Sequence, residues 1–412
     1  MRRLAVALLA APAAALASVD NVPHVTPRDL AMAEATVAAQ VGSPAAYVNP
    51  AALARIEGFD VSLAGGLLQV TDTWNTTTGL YPSPYTSENT VPPPAAYAAF
   101  GGKVGERGVG VGLGFLIPYG GAVDWPPGWT GRFEVETVDR RTYALYLSAG
   151  ADVTRWLRLG AGLVYYRTTE QLSQAQAIPG GEGRVEVGTA GDSVTWDVAA
   201  EVGPFEGVPL TLGVNYRYKS AQTLEGDAHF TIPPALQTAF PDQKVTHEYT
   251  VPSRLDLGLA WRIRPSLQLV SGYTLDGYDV YASDTFVGTA IDPTTGRPLT
   301  VSVPRHYGNG YTLRLGGEWQ AAPQLALRAG ILRDHSGYQP DYYHPSIPDG
   351  HSWAAAVGAG WAVSKAISID ACFFYAWFDQ VTATAQAALP GTYDIDAWIA
   401  SLGITWRWTP GK

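Results

Sequence analysis

The chain has 412 residues, of which 46% are hydrophobic and only 16% are charged, against the ~25% charged residues typical of soluble domains. The formal net charge of −10 excludes a general nucleic-acid-binding protein, because such a protein needs a cationic surface. The 11% aromatic residues exclude a disordered chain, and no stretch after residue 19 approaches the ~20 apolar residues of a membrane helix.

Residues 1–17 have the pattern of a secretory signal peptide. Two arginines precede a short run rich in Ala and Leu, which ends in the small-residue site Ala15-Leu16-Ala17. We predict export and a mature chain that starts at Ser18. A buried N-terminal helix is the alternative. Cys372 is the single cysteine, so an internal disulfide cannot stabilise the exported protein, whereas closing a sheet into a barrel would.

In residues 18–57, apolar and polar residues do not alternate as they do in a half-buried strand. The stretch 29–40 has a briefly helical pattern and is followed by Gly42-Ser43-Pro44 and by Asn49-Pro50. At about 40 residues this region is too long for a simple connection into a first strand, so we predict a folded insert. The interior of a large barrel is the place for it, since ~14 strands enclose more space than side chains fill.

From about residue 58 to the end, apolar and polar residues alternate with a period of two. In the clearest stretch one face carries Trp398, Ala400, Leu402, Ile404, Trp406 and Trp408. Tryptophans also lie at or near segment ends, namely Trp261, Trp319, Trp361, Trp377 and Trp408. A soluble sandwich would bury its apolar face and would not collect large rings at strand ends. Outer-membrane barrels do collect large rings near the ends of their strands, where the rings form the aromatic girdles.

We predict about 14 strands, an even number as in bacterial single-chain barrels. They lie near 58–72, 93–105, 107–118, 136–153, 155–172, 193–204, 208–226, 242–264, 265–283, 306–322, 323–337, 351–365, 366–385 and 391–409. Short and long connections alternate, which is typical of periplasmic turns and extracellular loops. The predicted long loops are 73–92, 173–192, 284–305 and 338–350. A β-propeller would show repeated four-strand modules, and the sequence has none.

Three short motifs point to a known family. Val48-Asn49-Pro50-Ala51-Ala52-Leu53 follows an Ala-rich segment, and Leu327-Arg328-Ala329-Gly330 precedes Ile347-Pro348-Asp349 and Trp353. Trp129-x-Gly131-Arg132 is a weaker third match. In order and spacing these motifs resemble the FadL/TodX (OMPP1) family of outer-membrane transporters for long-chain fatty acids and other hydrophobic compounds. Family members commonly end in an aromatic residue, whereas this chain continues past Trp408, so we expect the assembly machinery to recognise Trp406 or Trp408.

The resemblance implies an all-β membrane protein in the outer membrane of a Gram-negative bacterium. Its fold would be a monomeric 14-stranded antiparallel transmembrane β-barrel with an N-terminal hatch, or plug, inside the lumen. The signal peptide would span 1–17, the hatch 18–57 with the motif Asn49, Pro50 and Ala51, and the barrel 58–412. The implied partners are a hydrophobic ligand, outer-membrane lipid and the barrel-assembly machinery. We expect no cofactor and no nucleic acid.

The resemblance also implies a lateral opening at an inward kink in the third strand. Segment 107–121 is rich in glycine and contains a proline, and both residue types weaken strand pairing. We therefore predict a lateral gate at Gly112, Gly114, Pro118, Tyr119 and Gly120. An alternative is that the small residues let the hatch pack closely against the wall.

Strand alternation places ten charged side chains in the lumen: Arg140, Arg217, Arg254, Arg314, Arg328, Asp197, Glu201, Asp256, Glu318 and Asp370. The favoured interpretation is that they pair with one another and with the hatch. The more specific interpretation is that one of four arginines binds a fatty-acid carboxylate: Arg217, Arg254, Arg314 or Arg328. An acyl path along Phe374, Phe378, Tyr146 and Tyr166 is a further hypothesis, although packing against the hatch explains these rings equally well.

We predict passive uptake of long-chain fatty acids or similar hydrophobic compounds, with lateral exit into the membrane. Capture would occur on aromatic loops at Trp74, Tyr81, Tyr85, Trp125 and Trp129. The alternatives are a general diffusion porin for small polar solutes and, less favoured, a barrel hydrolase. We expect neither catalytic residues nor a metal site. Four histidines lack ligand spacing and are predicted to be solvated loop residues: His306, His335, His344 and His351.

Overall fold

The computed structural model describes residues 21–23, 26–79, 81–291 and 295–409, so the predicted signal peptide lies outside the described residues. One closed sheet of fourteen antiparallel strands dominates the fold, which confirms the predicted fold class. Six strands are interrupted once. The strands are β1 (Gly58–Asn75), β2 (Tyr85–Val91 and Pro94–Val104), β3 (Arg107–Asp124), β4 (Thr137–Asp152), β5 (Leu157–Ile178), β6 (Gly181–Val202), β7 (Leu210–Arg217 and Ser220–Thr231), β8 (Gln243–Val251 and Arg254–Arg264), β9 (Leu267–Asp276 and Ser283–Ile291), β10 (Pro298–Pro304 and Gly310–Ala322), β11 (Leu325–His335), β12 (Ser352–Ala362), β13 (Ile367–Phe378 and Val381–Ala383) and β14 (Gly391–Trp408).

The barrel is closed by its first and last strands, as predicted. β1 and β14 pair over their whole length, from Phe59 opposite Trp408 to Asn75 opposite Thr392. A closed sheet leaves no strand edge whose N–H and C=O groups would be unsatisfied in lipid. Among the described residues no helix is long and apolar enough to cross a membrane.

The two faces of the wall differ as the alternation predicts. On β14, Leu402 is 65% exposed on the outside, whereas Ser401 is 3% exposed on the inside. Leu257 of β8 also faces outward. The tryptophans predicted to form girdles are 41–52% exposed: Trp261, Trp319, Trp361, Trp377 and Trp408. An apolar outer band bounded by indole rings fits a lipid environment.

Three of the four predicted long loops contain strand, so those boundaries are wrong. The segment 73–92 includes the first part of β2, 173–192 includes the ends of β5 and β6, and 284–305 includes parts of β9 and β10. Only 338–350 stays outside the sheet, with a short 3-10 helix at Pro340–Tyr342. These extensions keep the ladder because pairing satisfies their backbone groups. We call the barrel end that carries them the loop end and the opposite end the turn end.

Several interruptions of the strands have a local cause. Pro92-Pro93 separate the two parts of β2, and Pro252 lies between the two parts of β8. Proline has no N–H to donate to a ladder. In β9 the interruption contains a 3-10 turn, Tyr278–Val280. The parts of β7, β8, β9 and β10 nearer the loop end pair with one another, so the sheet continues beyond the interruptions.

Residues 26–56, which we call the N-terminal segment, are mostly buried inside the barrel. The segment contains the helices α1 (Pro27–Leu30) and α2 (Ala45–Val48) and a 3-10 helix, Pro50–Arg55. The helical pattern predicted for 29–40 is therefore only partly correct. Helix α1 ends at Leu30, and Ala33 and Glu34 have φ angles of 51° and 60°, which an α-helix does not allow.

Candidate functional site

Wall glycines let the N-terminal segment lie directly against the barrel. A Cβ atom on Gly108, Gly150 or Gly213 would come closer than 3.0 Å to a backbone oxygen of the segment. These glycines belong to β3, β4 and β7, so the close contact extends around the lumen. A larger side chain at any of them would force the segment off the wall.

Ion pairs fix the same segment. Arg28 Nε lies 3.1 Å from Glu318 Oε2 on β10, and Arg55 pairs with Glu201 on β6. At the start of the barrel, Ser43 N donates to Asp60 Oδ1 at 2.8 Å. The interpretation that lumen charges pair with the segment therefore holds for Glu201 and Glu318.

Asn49 joins two parts of the N-terminal segment. Its Nδ2 donates to Val37 O at 2.6 Å, and its Oδ1 accepts from Ala51 N at 3.1 Å, which caps the 3-10 helix that begins at Pro50. The side chain is fully buried. These contacts lie within the segment and not at the predicted opening in β3.

The third strand contains a bulge at the predicted kink. Leu116 pairs with Ala144, but Tyr119 pairs with Thr142, so β3 has one more residue than β4 over this stretch. On its other side, the ladder between β2 and β3 ends at Leu116. Residues 116–120 are all buried, without the alternation of the preceding residues. The strand therefore bends into the lumen where its pairing with β2 stops.

The predicted gate residues fall into two groups. Gly112 lies in the paired part of β3, where a Cβ would contact Ala46 and Leu53 of the N-terminal segment. Gly114, also in the paired part, lies against Tyr97 and Tyr146. Pro118, Tyr119 and Gly120 lie at or next to the register shift. The close packing that the alternative interpretation expects is thus seen at Gly112, whereas Pro118, Tyr119 and Gly120 adjoin the bulge and the lateral gate stays a prediction.

The described N-terminal residues contact the kink from inside. Val22 N donates to Pro118 O at 2.9 Å, and Asn21 forms an isolated antiparallel bridge with Tyr119. Val22 is 1% exposed. This contact supplies part of the pairing that β2 does not provide. It was missed from the sequence because a single bridge leaves no periodic pattern.

Arg217 is the candidate arginine with the least charge neutralisation. Its guanidinium carbon lies 4.8 Å from the ring centre of Tyr47 and 5.0 Å from that of Tyr146. Nη2 donates to Tyr47 O at 3.0 Å, and the nearest carboxylate, Asp197, is 3.9 Å away. Within the described residues Nε has no hydrogen bond. A buried cation with an unused donor suits a ligand carboxylate.

The other three candidate arginines are paired with acidic residues. Arg328 has two carboxylates at 2.6 Å, Arg254 has two at 3.2 and 3.6 Å, and Arg314 has one at 3.7 Å. The partners are Glu318 and Asp370 for Arg328, Asp256 and Asp276 for Arg254, and Glu34 for Arg314. The charges of Arg328 and Arg254 are largely used within the protein, as the favoured interpretation expects. Arg314 resembles Arg217 more closely, because its one carboxylate is 3.7 Å away and its Nε has no hydrogen bond among the described residues.

The four aromatic residues of the proposed acyl path occupy two places. Tyr146 and Tyr166 lie together, with their hydroxyl oxygens 3.5 Å apart. The ring of Tyr166 also makes an edge-to-face contact with the ring of Tyr119, which belongs to the kink. Phe374 and Phe378 are on β13, and Phe374 is 3% exposed. The tyrosine pair adjoins the kink. Of the predicted path, it is the part nearest to the bulge of β3.

Three of the five residues predicted to capture ligand are interior. Trp74 and Trp129 are fully buried and Trp125 is 3% exposed, so an exposed landing surface at these residues is wrong. The rings of Trp125 and Trp129 stack with centres 4.2 Å apart, and each indole N–H donates to a backbone oxygen. Tyr85 is half-buried, whereas Tyr81 is exposed.

An apolar cavity of about 210 Å³ lies at the loop end, between the outer parts of β5 to β10. We call it the outer cavity. Its lining includes Leu172, Val187, Phe230, Val245, Phe286 and Val301. The sequence analysis missed it because 173–192 and 284–305 were assigned to loops. Each pair of valines two residues apart, Val185 with Val187 and Val301 with Val303, fits one face of a strand. This period of two is the signal that could have predicted the cavity wall.

The histidines do not share one environment. His344 is buried and its Nδ1 lies 2.8 Å from Ser346 Oγ, so its assignment to solvent is wrong. Burial, with a contribution from the nearby Arg305, lowers the pKa of His344 to about 4. His306 is exposed, whereas the half-buried rings of His335 and His351 stack with centres 4.0 Å apart. The described part of the chain contains no cluster of three or more potential metal ligands.

Solved structures share this architecture. A Pseudomonas aeruginosa FadL homologue has a TM-score of 0.83 at 21% identity, over 95% of this chain and 100% of that chain. The toluene transporter TbuX of Ralstonia pickettii has a TM-score of 0.70, and TodX of P. putida has 0.72, each at 15% identity. The similarity covers 93% and 92% of this chain, and 98% of each of those chains. At these identities the likeness shows the fold.

Sequence comparison identifies the family. A protein of Neisseria meningitidis serogroup B, named only as an outer membrane protein, is 24% identical over 191 residues. That match covers 43% of this chain and 41% of the relative's length. The family model described as outer membrane protein transport protein (OMPP1/FadL/TodX) matches residues 6–408. The chain, a bacterial outer-membrane β-barrel, therefore belongs to the OMPP1/FadL/TodX family of outer-membrane transport proteins.

Proposed function

We propose that this protein lets hydrophobic compounds, with long-chain fatty acids as the first candidates, diffuse passively from the cell exterior into the outer membrane. The observation that carries the proposal is the inward kink of β3, beside which the ladder to β2 stops at Leu116. A missing ladder weakens the wall at one place, and a compound can leave sideways there. TbuX and TodX are named toluene transporters, so aromatic hydrocarbons are the second candidate class.

The proposed route has an entrance and a second binding place deeper in the lumen. The outer cavity would take an apolar chain from water, because each buried CH₂ contributes ~0.8 kcal/mol. Arg217 and the pair Tyr146 and Tyr166 lie further inside, next to the kink residue Tyr119. They would hold the compound before it passes Pro118. In this scheme residues 21–23 and 26–56 act as the hatch that limits the inner route.

A general diffusion porin for polar solutes is less well supported. A porin needs a water-filled lumen. Here the N-terminal segment lies against wall glycines and is held by the Arg28 and Glu318 ion pair. The packing of residues 26–56 therefore favours a hydrophobic route over an aqueous one. No observation in the described residues favours a hydrolase, and the family is one of transport proteins.

Deleting Pro118 tests the lateral exit. The deletion removes the extra residue of β3 and would bring Ile117 into regular register with β4. We expect the kink to straighten, and uptake of radiolabelled oleate by cells to fall to near the level of cells without the protein. Heat-modifiability on gels would report an intact barrel.

Pro118→Ala is the matched control for the deletion. It removes the proline but keeps the number of residues, so the bulge and most of the uptake should remain. A correctly folded deletion variant with normal oleate uptake would contradict lateral exit through this strand.

Asn49→Ala tests the role of the N-terminal segment. The substitution leaves Val37 O and Ala51 N without their side-chain partner, at a local cost of ~0.5–2 kcal/mol for a lost cap. We expect a folded barrel with altered oleate uptake, because the change loosens the segment and not the wall. Normal folding together with normal uptake would leave the motif as a structural connector only.

A further inference from the structure

Residues 336–350, which we call the lid loop, connect β11 to β12 and fold inward at the loop end. Every residue from 343 to 350 is buried, whereas a connecting loop normally runs over the surface. Trp125, in the connection between β3 and β4, donates from Nε1 to Pro345 O at 3.1 Å. Arg305, in the interruption of β10, donates from Nη2 to Ser346 Oγ at 2.8 Å. The lid loop is thus held over the mouth of the barrel from more than one side.

The inner end of the lid loop lies beside the outer cavity. A small cavity of about 70 Å³ adjoins the outer cavity, and both are lined by Leu172, Phe286 and Val303. The lid loop contributes three residues to the lining of the small cavity: His344, Ser346 and Ile347. A compound that moves inward from the outer cavity therefore meets the lid loop.

The two ends of the lid loop meet at a pair of stacked histidines. His335 is the last residue of β11, and His351 directly follows the lid loop. Their ring centres are 4.0 Å apart and their planes differ by 12°. Next to them, Ser336 Oγ donates to Asp349 Oδ2. Both rings are half-buried, so protons from the solvent can reach them. We call His335 and His351 the histidine pair.

The surroundings of the histidine pair favour neutral rings. Tyr311 of β10 and Tyr338 of the lid loop contact the two rings, at centre distances of 4.8 and 5.3 Å respectively. The charged groups beside the pair are Arg333 and Asp379, which form an ion pair with each other. Burial, with a contribution from the second ring, lowers the pKa of His351. Two imidazolium rings in this stack would repel each other.

A third histidine, His344, is buried at the inner end of the lid loop. Burial, together with Arg305, lowers its pKa to about 4. Glu134 Oε2 lies 3.5 Å from its Nε2 and favours the charged ring, but this carboxylate side chain is 40% exposed and screened by water. Asp284 is also near and is paired with Arg305. The closed lid loop therefore keeps His344 neutral.

Opening of the lid loop would expose these histidines, and each would then titrate near its ordinary pKa of ~6.5. The open form therefore binds more protons than the closed form as the pH falls through ~6.5. The closed form is favoured above this pH, and its advantage is lost on acidification.

We propose that the lid loop closes the route from the outer cavity into the lumen and that mild acid opens it by protonating His335, His344 and His351. The inference goes beyond the proposed function and rests on it for the route that is controlled. It adds a pH-dependent gate at the entrance, distinct from the exit at β3.

One carboxyl group acts in the opposite direction. Asp72 of β1 is 1% exposed and lies beside Tyr343 of the lid loop. Burial raises its pKa, so acid favours the closed form through this group. Tyr393 of β14 also covers Asp72 and belongs to the wall, so the lid loop accounts for only part of this burial. Asp72→Asn should therefore increase the response to acid.

Opening is measured as the rate at which a membrane-impermeant maleimide labels Ile347→Cys in the full-length protein, in nanodiscs of zwitterionic lipid. Ile347 is 7% exposed, and Cys372→Ala removes the native thiol. The rate is divided by that of Gln339→Cys, an exposed position of the same loop, because thiol reactivity itself falls in acid. We expect this ratio to rise about tenfold from pH 7.5 to pH 5.5, since one histidine with a pKa of about 4 when closed and ~6.5 when open contributes that factor.

Variants assign the response to the histidines. The double substitution His335→Phe with His344→Gln should reduce the rise to less than about twofold. Phenylalanine keeps a ring against His351 and glutamine keeps a hydrogen-bonding group, but neither takes up a proton. His306→Phe is the matched control, because exposed His306 contacts Tyr342 of the lid loop with ring centres 4.3 Å apart, and it should leave the rise unchanged.

A ratio that does not change with pH would overturn the inference, as would a rise that survives the double substitution. If that variant does not fold, His335→Phe alone replaces it and should still lower the rise. Uptake of labelled hexadecane, which has no titratable group, is measured in cells at both pH values. We expect more uptake at pH 5.5 with the wild-type protein and no increase with the double variant.

The uptake result separates this inference from the proposed function. Hexadecane uptake that ignores pH, together with labelling that ignores pH, would reject the gate and keep the proposed function. Acid-dependent labelling without hexadecane uptake at either pH would reject the proposed function and keep the moving lid loop. Acid-dependent labelling with equal uptake at both pH values would overturn its role as a gate.

Discussion

Replacing Gly150 of β4 by valine is expected to open the lumen to small polar solutes. A Cβ at this position would come closer than 3.0 Å to Pro50 O in the N-terminal segment. The wall is held by a continuous ladder between β4 and β5, whereas the segment has no ladder of its own. Overpacking costs ~1–3 kcal/mol, and we expect the segment to move and the barrel to stay folded.

The measurement is single-channel conductance in planar bilayers, together with liposome swelling in small sugars. Wild-type protein should conduct little, and Gly150→Val should give a large increase. Gly102→Val is the matched control, because a Cβ at Gly102 has no neighbour within 4 Å. An unchanged conductance in a folded Gly150→Val barrel would mean that the N-terminal segment does not seal the lumen. High conductance of the wild-type protein would favour the porin alternative.

Arginine in place of Leu402 is expected to destabilise the inserted barrel by ~2–4 kcal/mol, as a charge on the lipid face near the bilayer midplane does. Leu402 is 65% exposed on the outer face of β14 and lies midway between Trp398 and Trp406. The free energy of unfolding from lipid vesicles in guanidinium chloride measures the change. Leu257→Arg on β8 should behave similarly.

Thr382→Arg serves as the control for this prediction. Thr382 is exposed in the short second part of β13, beyond the apolar band, and an arginine there should cost no more than ~1 kcal/mol. If Leu402→Arg folds in lipid as well as Thr382→Arg, the outer face assigned to β14 is wrong.

The sequence predicted the number, order and closure of the strands. This was possible because alternation is a local signal, as Ser401 and Leu402 illustrate on opposite faces of β14. It was less successful at the loop end, where Val185 and Val187 continue a strand that was assigned to a loop. At the loop end the outer face of the strands contacts water and not lipid. That face need not be apolar, so apolar and polar residues alternate less strictly there.

The candidate site was predicted in part. Pro118 and Tyr119 lie at the bulge, as the glycine- and proline-rich segment indicates. The contact of Val22 with Pro118 could not be predicted, because it joins distant parts of the chain through one hydrogen bond. Trp129 was assigned to an exposed loop because a tryptophan in an irregular segment carries no periodic sign of burial.

By itself, the sequence determined that the chain forms a β-barrel with an apolar outer face and charged residues in its lumen, because period-two alternation decides the face of every strand residue. Only the tertiary structure decided which lumen charges remain available. Arg328 is neutralised by two carboxylates at 2.6 Å, whereas Arg217 has its nearest carboxylate at 3.9 Å. Such interactions depend on distances of a few ångströms between different strands, and residue spacing along one strand does not contain them.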